Sequence, residues 1–368
     1  MSYYELLSEK MKATLKQLGY TEPTPIQEKT LELILNKKDI LGTAQTGTGK
    51  TAAFAVPILE RVFTDNQKTQ VLVLCPTREL AMQTTEVFRN LSPHMKIRTI
   101  SVYGGQAPTI QIRALRAGAQ IVVGTPGRIK DMINRNVLKL KNVRTVVLDE
   151  ADEMLNFGFL PDIKFILESV TMEHQTLLFS ATMNKDVLGI AKQFQREPVR
   201  IEVGQHNEPI ENVKQSYMQA NERQKPQAVQ SLIMQSSPRL ALIFCNTRRR
   251  VMFLQKQLFD QGMIASCLHG DMSQNERDAV MDKFRKGKTT ILVATDVAAR
   301  GIDVSDIDLV INYDIPDKME YYVHRIGRTG RAGHFGKACT LVSSQEAGKI
   351  TSLERVYRIK IPMEKIAS

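Results

Sequence analysis

Short apolar runs recur along the chain, separated by stretches long enough for a helix. They are VLVLC (71–75), QIVVG (120–124), TVVLD (145–149), TLLFS (176–180), ALIFC (241–245), TILVAT (290–295) and DLVINYD (308–314). Several are apolar at every position and rich in Val, Ile and Leu. A sheet with one wet face would alternate apolar and polar residues; strands covered on both faces read like these. Strands alternating with amphipathic helices predict the α/β class, with mainly parallel strands and right-handed crossovers.

The order is written twice. VLVLCPTR (71–78) matches ALIFCNTR (241–248), and VYGG (102–105) matches CLHG (267–270). IVVGTPGR (121–128) matches ILVATDVA (291–298), and VVLDEA (146–151) matches LVINYD (309–314). Buried strands look alike, so coincidence among βα units is the alternative to two domains of related topology. The polar, aperiodic stretch VGQHNEPIENVKQ (203–215) is the expected boundary, giving domains 1–205 and 206–368. Only the first contains a phosphate-loop sequence, so the second is expected to complete a site rather than hold its own nucleotide.

With 42% hydrophobic and 24% charged residues over 368 positions, the chain can bury a sizeable core, which excludes a disordered chain. No apolar run approaches the ~18 residues of a membrane span. The N-terminus, MSYYELLSEKMK, lacks the basic-then-apolar order of a signal peptide. Cys75, Cys245, Cys267 and Cys339 show no CxxC spacing, so reduced thiols, no zinc site and a cytoplasmic location are expected. The net charge of +11 divides into +5 over 1–205 and +6 over 206–368. A polyanionic partner would account for it, and so would solubility. The one dense run, Arg248-Arg249-Arg250, reads equally as a solvated helix start or as a contact patch.

The sharpest local signal is AQTGTGKT: Ala44, Gln45, Thr46, Gly47, Thr48, Gly49, Lys50 and Thr51. It follows DILGT and enters a helix-like stretch, the strand–loop–helix context of a phosphate site. Gly47 and Gly49 let backbone N–H groups approach phosphate oxygens. Lys50 supplies a point charge for the β/γ-phosphates, and Thr51 a hydroxyl for Mg²⁺. Ala44 departs from the glycine of the general pattern, which implies that this position has no need of positive φ. In TVVLDEAD (145–152) a strand ends in adjacent carboxylates. Asp149 fits a Mg²⁺ holder and Glu150 the group that orients or deprotonates water. In HRIGRTGR (324–331), Arg325, Arg328 and Arg331 are spaced by three, which on a helix aims them at one anion. A basic stripe for RNA phosphate is the alternative.

Together these residues resemble the DEAD-box family of ATP-dependent RNA helicases, within helicase superfamily 2; the acidic motif spells Asp149-Glu150-Ala151-Asp152. The resemblance runs from about Gly19 to Lys365. It includes GYTEPTPIQ (19–27), PTREL (76–80), GG (104–105), TPGR (125–128), SAT (180–182), LIFCNT (242–247), HGDMSQNER (269–277) and ATDVAARGID (294–303). It implies two tandem RecA-like domains with a cleft between them, ATP and Mg²⁺ as cofactors, and RNA as partner. Carried over, Tyr20 and Gln27 lie on the adenine side, and the Gln27 amide suits adenine N6 and N7. The family's stacking aromatic falls by gapless spacing at Ser2, one residue from Tyr3 and two from Tyr4. Asp303 resembles the ribose carboxylate, His324 a member of the cleft network, and Arg328 and Arg331 arginine fingers. Ser180 and Thr182 resemble the element coupling nucleotide state to RNA, through Asp152. RNA contacts are implied at Thr77, Arg78, Gly104, Gly105, Thr125 and Arg128, and at Thr247, Gln274, Arg277 and Thr295. Small hydroxyls, glycine amides and arginines suit sugar–phosphate binding with little base readout.

The resemblance implies short-range unwinding by a monomeric core of bacterial type, with protein or ribonucleoprotein partners. An ATP-gated RNA clamp carries identical motifs. A DNA translocase of the same superfamily lacks the PTPIQ glutamine and the literal DEAD, and a decayed scaffold would not keep Lys50, Glu150 and Arg328. The final segment, LERVYRIKIPMEKIAS, reads as the end of the second lobe, of a minimal helicase or of one trimmed from a longer protein.

Overall fold

The computed structural model describes residues 3–44, 48–203, 212–299, 307–330 and 335–364, with the side chains of Gln274, Val297 and Glu320 outside that description. The chain divides into two compact units, Met1–Gly204 and Gln205–Ser368.

The first unit holds β1 (Ile40–Thr43), β2 (Val71–Leu74), β3 (Thr99–Val102), β4 (Ile121–Gly124), β5 (Thr145–Leu148), β6 (Gln175–Ser180) and β7 (Val199–Glu202). They form a seven-stranded sheet in the order β3-β4-β2-β5-β6-β1-β7, every neighbouring pair parallel. The second holds β8 (Val213–Gln219), β9 (Ala241–Cys245), β10 (Ala265–Leu268), β11 (Ile291–Thr295), β12 (Leu309–Asn312) and β13 (Gly336–Val342). Its sheet runs β10-β11-β9-β12-β13-β8, again all parallel.

The sequence repeat equates β2 with β9, β3 with β10, β4 with β11 and β5 with β12. Substituting those pairs turns the first order into the second, and the positions left over equate β6 with β13 and β1 with β8. Coincidence among βα units does not give six strands in one order, so the two units share a topology. β7 is the first sheet's addition.

Both faces of each sheet are covered, and this makes the runs apolar throughout. In β2, Val71 and Val73 enter one core while Leu72 and Leu74 enter the other. In β9, Leu242 and Phe244 face one side, and Ala241, Ile243 and Cys245 the opposite side. Helices supply the cover. Lys50–Arg61 buries Phe54 against Phe88 and Phe179, with ring centroids 6.1 and 5.7 Å apart. Among the described residues no helix is long and apolar enough to cross a membrane.

Strand spacing is set by side-chain size where β3 meets β4. A Cβ on Gly124 would lie 2.3 Å from the Val102 carbonyl oxygen and 2.7 Å from Ile129 Cδ1. The first neighbour is backbone and cannot rotate away. Gly124→Ala is expected to destabilise the first unit by about 2–3 kcal/mol, the upper range for overpacking. Urea unfolding checks this; an unchanged midpoint would mean that the two strands part freely.

Candidate active site

Parallel strands put all their C-terminal ends on one edge, where doubly wound sheets bind ligands. In the first unit that edge divides in two. The phosphate loop follows β1, Asp149 follows β5 and Ser180 ends β6, three adjacent strands. Thr77 follows β2, Gly104 and Gly105 follow β3, and Thr125 follows β4, the other adjacent trio. The sheet order thus places the nucleotide candidates together and the RNA candidates together.

In the nucleotide half, Gly49 has φ 87° and opens the helix whose first residue is Lys50. Lys50 is 6% exposed and its Nζ donates to the Ala44 carbonyl at 2.9 Å. Two ammonium protons remain for a ligand. Gln45, Thr46 and Gly47 lie outside the described residues. Gln27 reaches the same loop. Its Nε2 donates to the Gly49 carbonyl at 3.3 Å while its Oε1 accepts from Thr24 N at 3.0 Å. One donor and one acceptor of the amide are left.

Asp149 is 2% exposed, and its Oδ1 is buried with no hydrogen-bond partner among the described residues. Burial pushes its carboxyl up to about 6; the Lys50 ammonium pulls the other way and the Glu150 carboxylate adds to the rise. Glu150 sits at φ 52° and ψ 54°, a left-handed conformation that disfavours a residue with a Cβ. Gly or Asn would fit that backbone better, so the glutamate holds this turn at a cost in strain, as Lys37 and Arg358 do elsewhere in the chain.

Ser180 ties the pieces together. Its carbonyl accepts from Ala44 N at 3.2 Å, its Oγ accepts from Asp152 N at 3.3 Å, and the same hydroxyl donates to the Thr182 carbonyl at 2.7 Å. Asp152 Oδ2 accepts from both Thr182 N and Thr182 Oγ1, each at 3.0 Å. The three residues read as a coupling element therefore form one network with the phosphate loop.

Tyr3 and Tyr4 pack edge-on at 5.4 Å against the core, and the Tyr4 hydroxyl donates to the Tyr20 carbonyl at 3.0 Å. The rings thus serve the packing of the N-terminal segment; Ser2 lies outside the described residues.

In the RNA half, Thr77 caps the helix Arg78–Leu91 by accepting from Leu80 N. A Cβ on Gly105, where φ is 85°, would lie 2.4 Å from Arg78 Nη1, so this guanidinium rests on the bare glycine. Gly104 has open space around it. Thr125 precedes the helix Pro126–Asn134, and Arg128 is held by the Gln111 side chain at 3.1 Å and the Gln106 carbonyl at 3.2 Å.

The second unit repeats the arrangement. Thr247 follows β9 and caps Arg248–Asp260 through Arg250 N, as Thr77 does after β2, and Thr295 ends β11. Gln274 opens the helix Gln274–Arg285. Arg277 is nearly buried and donates to the Ala298 carbonyl at 3.3 Å. Asp303 and Arg331 lie outside the described residues.

The expectation that Arg325, Arg328 and Arg331 share one helix face is corrected by the structure. The helix Met319–Ile326 ends at Gly327, so Arg328 lies past it, with Nε on the His324 carbonyl at 3.3 Å. Arg325 is 1% exposed and all five of its donors are taken. Nε and Nη2 grip Asp296 at 2.6 Å each, Nη2 also meets Asn246 Oδ1 at 2.8 Å, and Nη1 meets the Asp314 carbonyl at 2.6 Å and Asn312 Oδ1 at 3.4 Å. It has no donor left for an anion. Its partner Asp296 was legible by the signal that singled out Asp149, an acid directly after an apolar strand.

The basic run at 248–250 also divides. Arg248 pairs with Asp271 and Arg249 is exposed, whereas Arg250 bonds Asp314 and Glu222 at 2.6 Å each and lies 5.1 Å above the Tyr313 ring. Burial works against the Arg250 charge, but Asp314 and Glu222 outweigh it and raise its pKa.

The DEAD/DEAH box helicase family model matches residues 24–190, and the helicase conserved C-terminal domain matches 224–333. The chain is 47% identical over 359 residues to the DEAD-box ATP-dependent RNA helicase CshA of Geobacillus kaustophilus, covering 98% of this chain and 77% of that protein. It is 45% identical over 362 residues to CshA of Bacillus subtilis, covering 98% and 73%. Among solved structures, S. cerevisiae Dbp5 bound to RNA and ADP BeF3 superposes with a TM-score of 0.91 at 32% identity, covering 99% of this chain and 96% of that one.

Two outcomes follow from this geometry. Charging buried Asp149 costs folding free energy, a cost absent below the ordinary carboxyl value of 3.8 and complete above about 6. Asp149→Asn is therefore expected to raise the Tm of the nucleotide-free protein at pH 7.5, with the difference shrinking as pH falls through 6 towards 4; a gap constant with pH would refute the assignment. Arg325→Met strands Asp296 and should cost about 3–5 kcal/mol, as when one partner of a buried pair is removed. Chemical denaturation of the whole chain measures it, and a loss below about 1 kcal/mol, the worth of an exposed pair, would contradict the buried clamp.

Proposed function

Because the chain belongs to the DEAD-box family of ATP-dependent RNA helicases, we propose that it couples ATP hydrolysis to local, non-processive opening of RNA duplexes or remodelling of RNA–protein complexes, with little sequence preference. The observation that carries this reading is the Ser180 network, which joins the phosphate loop at Ala44 to Asp152 and Thr182. A change in what Lys50 and Asp149 hold is felt one or two hydrogen bonds away, beside the strand ends that carry the RNA candidates.

Among the described residues no three His, Cys, Asp or Glu side chains cluster as a metal cage. Mg²⁺ in phosphoryl-transfer sites needs none, since one carboxylate and the substrate phosphates suffice. The partnerless Asp149 Oδ1, buried near the Lys50 charge, fits that demand, and Asp149 with Thr51 would hold the ion. When bound, it neutralises charge on the phosphates. Lys50 binds the β/γ-phosphates, and Glu150 orients the attacking water and accepts its proton. Arg328, Arg331 and His324 are the second unit's share of the hydrolysis machinery, and Asp303 its ribose contact. Gln27 reads adenine with the donor and acceptor that the loop leaves it.

RNA is bound through its backbone by Thr77, Arg78, Gly105, Thr125 and Arg128 in one unit and by Thr247, Gln274, Arg277 and Thr295 in the other. Hydroxyls, amides and guanidinium groups at strand ends suit phosphate and 2′-OH groups rather than base edges. We place the protein in the cytoplasm as a monomer acting on ribonucleoprotein substrates.

Steady-state ATP hydrolysis without nucleic acid, with single-stranded RNA and with DNA of the same sequence tests the proposal. RNA alone should stimulate strongly. Glu150→Gln should lower kcat by about 10²–10⁴, the range for losing a general base, while RNA binding persists. Equal stimulation by DNA would sink the assignment of ligand. Displacement of a strand from a short RNA duplex separates opening from clamping.

A further inference from the structure

The opposite, N-terminal edge of the first sheet opens into a cavity of about 810 Å³, within the range of small-molecule pockets. Val71, Thr145 and Gln175, the first residues of β2, β5 and β6, form its floor. Leu35 and Arg61, at the C-terminal ends of their helices, stand in its wall.

The polar groups around it fall into two sets. Its carboxylates are engaged elsewhere: Glu60 accepts from Ser8 N and Oγ at 3.0 and 2.8 Å, and Glu173 pairs with Arg196 at 2.6 Å. Its amides are closed as well. Gln175 accepts from Arg61 at 2.7 Å and donates to the Ile34 and Lys38 carbonyls, while Gln70 is closed on the Phe63 backbone. The cations are not. The Arg144 guanidinium makes no hydrogen bond or ion pair among the described residues and lies 4.7 Å from the Phe63 ring centroid. Arg61 spends only Nη1, on the Ile34 carbonyl and Gln175 Oε1, leaving Nε and Nη2. Burial and the like charge of Arg144 both lower the Arg61 pKa, so an anion here would relieve a repulsion.

Lys37 and His174 also line the cavity, His174 with Nδ1 against the Met172 carbonyl at 2.8 Å, and the rest of the lining is largely apolar. Phe63 and Met172 are 55% and 48% exposed, and Ile58 and Val62 lie beside them. A bare inorganic ion would use the guanidinium groups and leave this surface wet. We propose that the cavity is a second ligand site, separate from the nucleotide edge, and that it takes a small amphiphilic organic anion: a carboxylate or phosphate drawn by Arg61 and Arg144, on an aromatic or aliphatic body laid against Phe63, Ile58 and Val62.

Isothermal titration of phenyl phosphate into the full chain, with Mg²⁺ and AMP-PNP saturating the phosphate loop, tests this. One molecule should bind per chain, and inorganic phosphate should bind at least tenfold more weakly. Arg144→Glu should weaken phenyl phosphate at least tenfold, and Phe63→Ala several-fold. Arg144 is exposed, so its variant keeps the parent Tm and RNA-stimulated ATPase. A parallel titration with 4-phenylbutyrate assigns the preferred headgroup, and tighter binding of either compound supports the site. Absence of binding by both compounds, affinity unchanged in Arg144→Glu, or inorganic phosphate binding as tightly as phenyl phosphate would each overturn the proposal.

Discussion

A parallel sheet buried on both faces can present chemistry only at its edges. Its strand interiors are apolar by necessity, and its ladder consumes the backbone polar groups. Most of the candidate polar groups in each unit stand near a strand end, and sheet order decides which strand ends are neighbours. In both units the strands carrying RNA candidates form one contiguous trio, β3-β4-β2 in the first and β10-β11-β9 in the second. The division of labour along the edge is thus a consequence of topology.

The same topology shows how the two edges diverged. Lys50 is the first residue of the helix after β1, and Lys225 the first residue of the helix after β8; both are buried. Asp149 follows β5, and Asp314 stands two residues past β12, its equivalent. In the second unit the lysine pairs with Glu222 at 2.7 Å and lies 3.8 Å from Asp314, and Arg250 closes the group. Glu222 comes from the loop that corresponds to the phosphate loop, so its carboxylate sits on the lysine where a phosphate would. That edge is filled by its own side chains. In the first unit the corresponding loop carries glycines and no acid, and Asp149 keeps a bare oxygen.

How much of this could be read beforehand depended on the range of the interaction. Periodicity and composition are local, and they located β2, β4, β5, β6, β9, β11 and β12 from apolar runs alone. β8 (VKQSYMQ) and β13 (GKACTLV) carry polar residues and gave weaker patterns, because β8 is an edge strand and β13 packs beside it. The phosphate loop was legible because backbone need and side-chain chemistry lie within eight positions. The fate of Arg325 was not, because its partners come from three different strand ends. A spacing of three promises a shared helix face only while the helix lasts, and Gly327 ends it. The left-handed backbone at Glu150 was equally hidden, since glutamate is a poor indicator of that conformation.

These contrasts bear on what holds each unit in shape. Arg325 satisfies every donor it owns and stitches β9, β11 and β12 at their ends in the second unit. The first unit has no such clamp beside its acidic residues among the described residues. Among the described residues Asp149 Oδ1 and Asp152 Oδ1 are buried without partners, and Glu150 holds a left-handed backbone. A ligand that supplies the missing partners binds the folded chain and not the unfolded one, so it stabilises the fold by mass action. The free energy left unspent on internal pairing at that edge is then available as binding energy. The Ser180 hydrogen bonds link Ala44 of the phosphate loop to Asp152 and Thr182, so pairing at that edge and pairing at the end of β5 share one network.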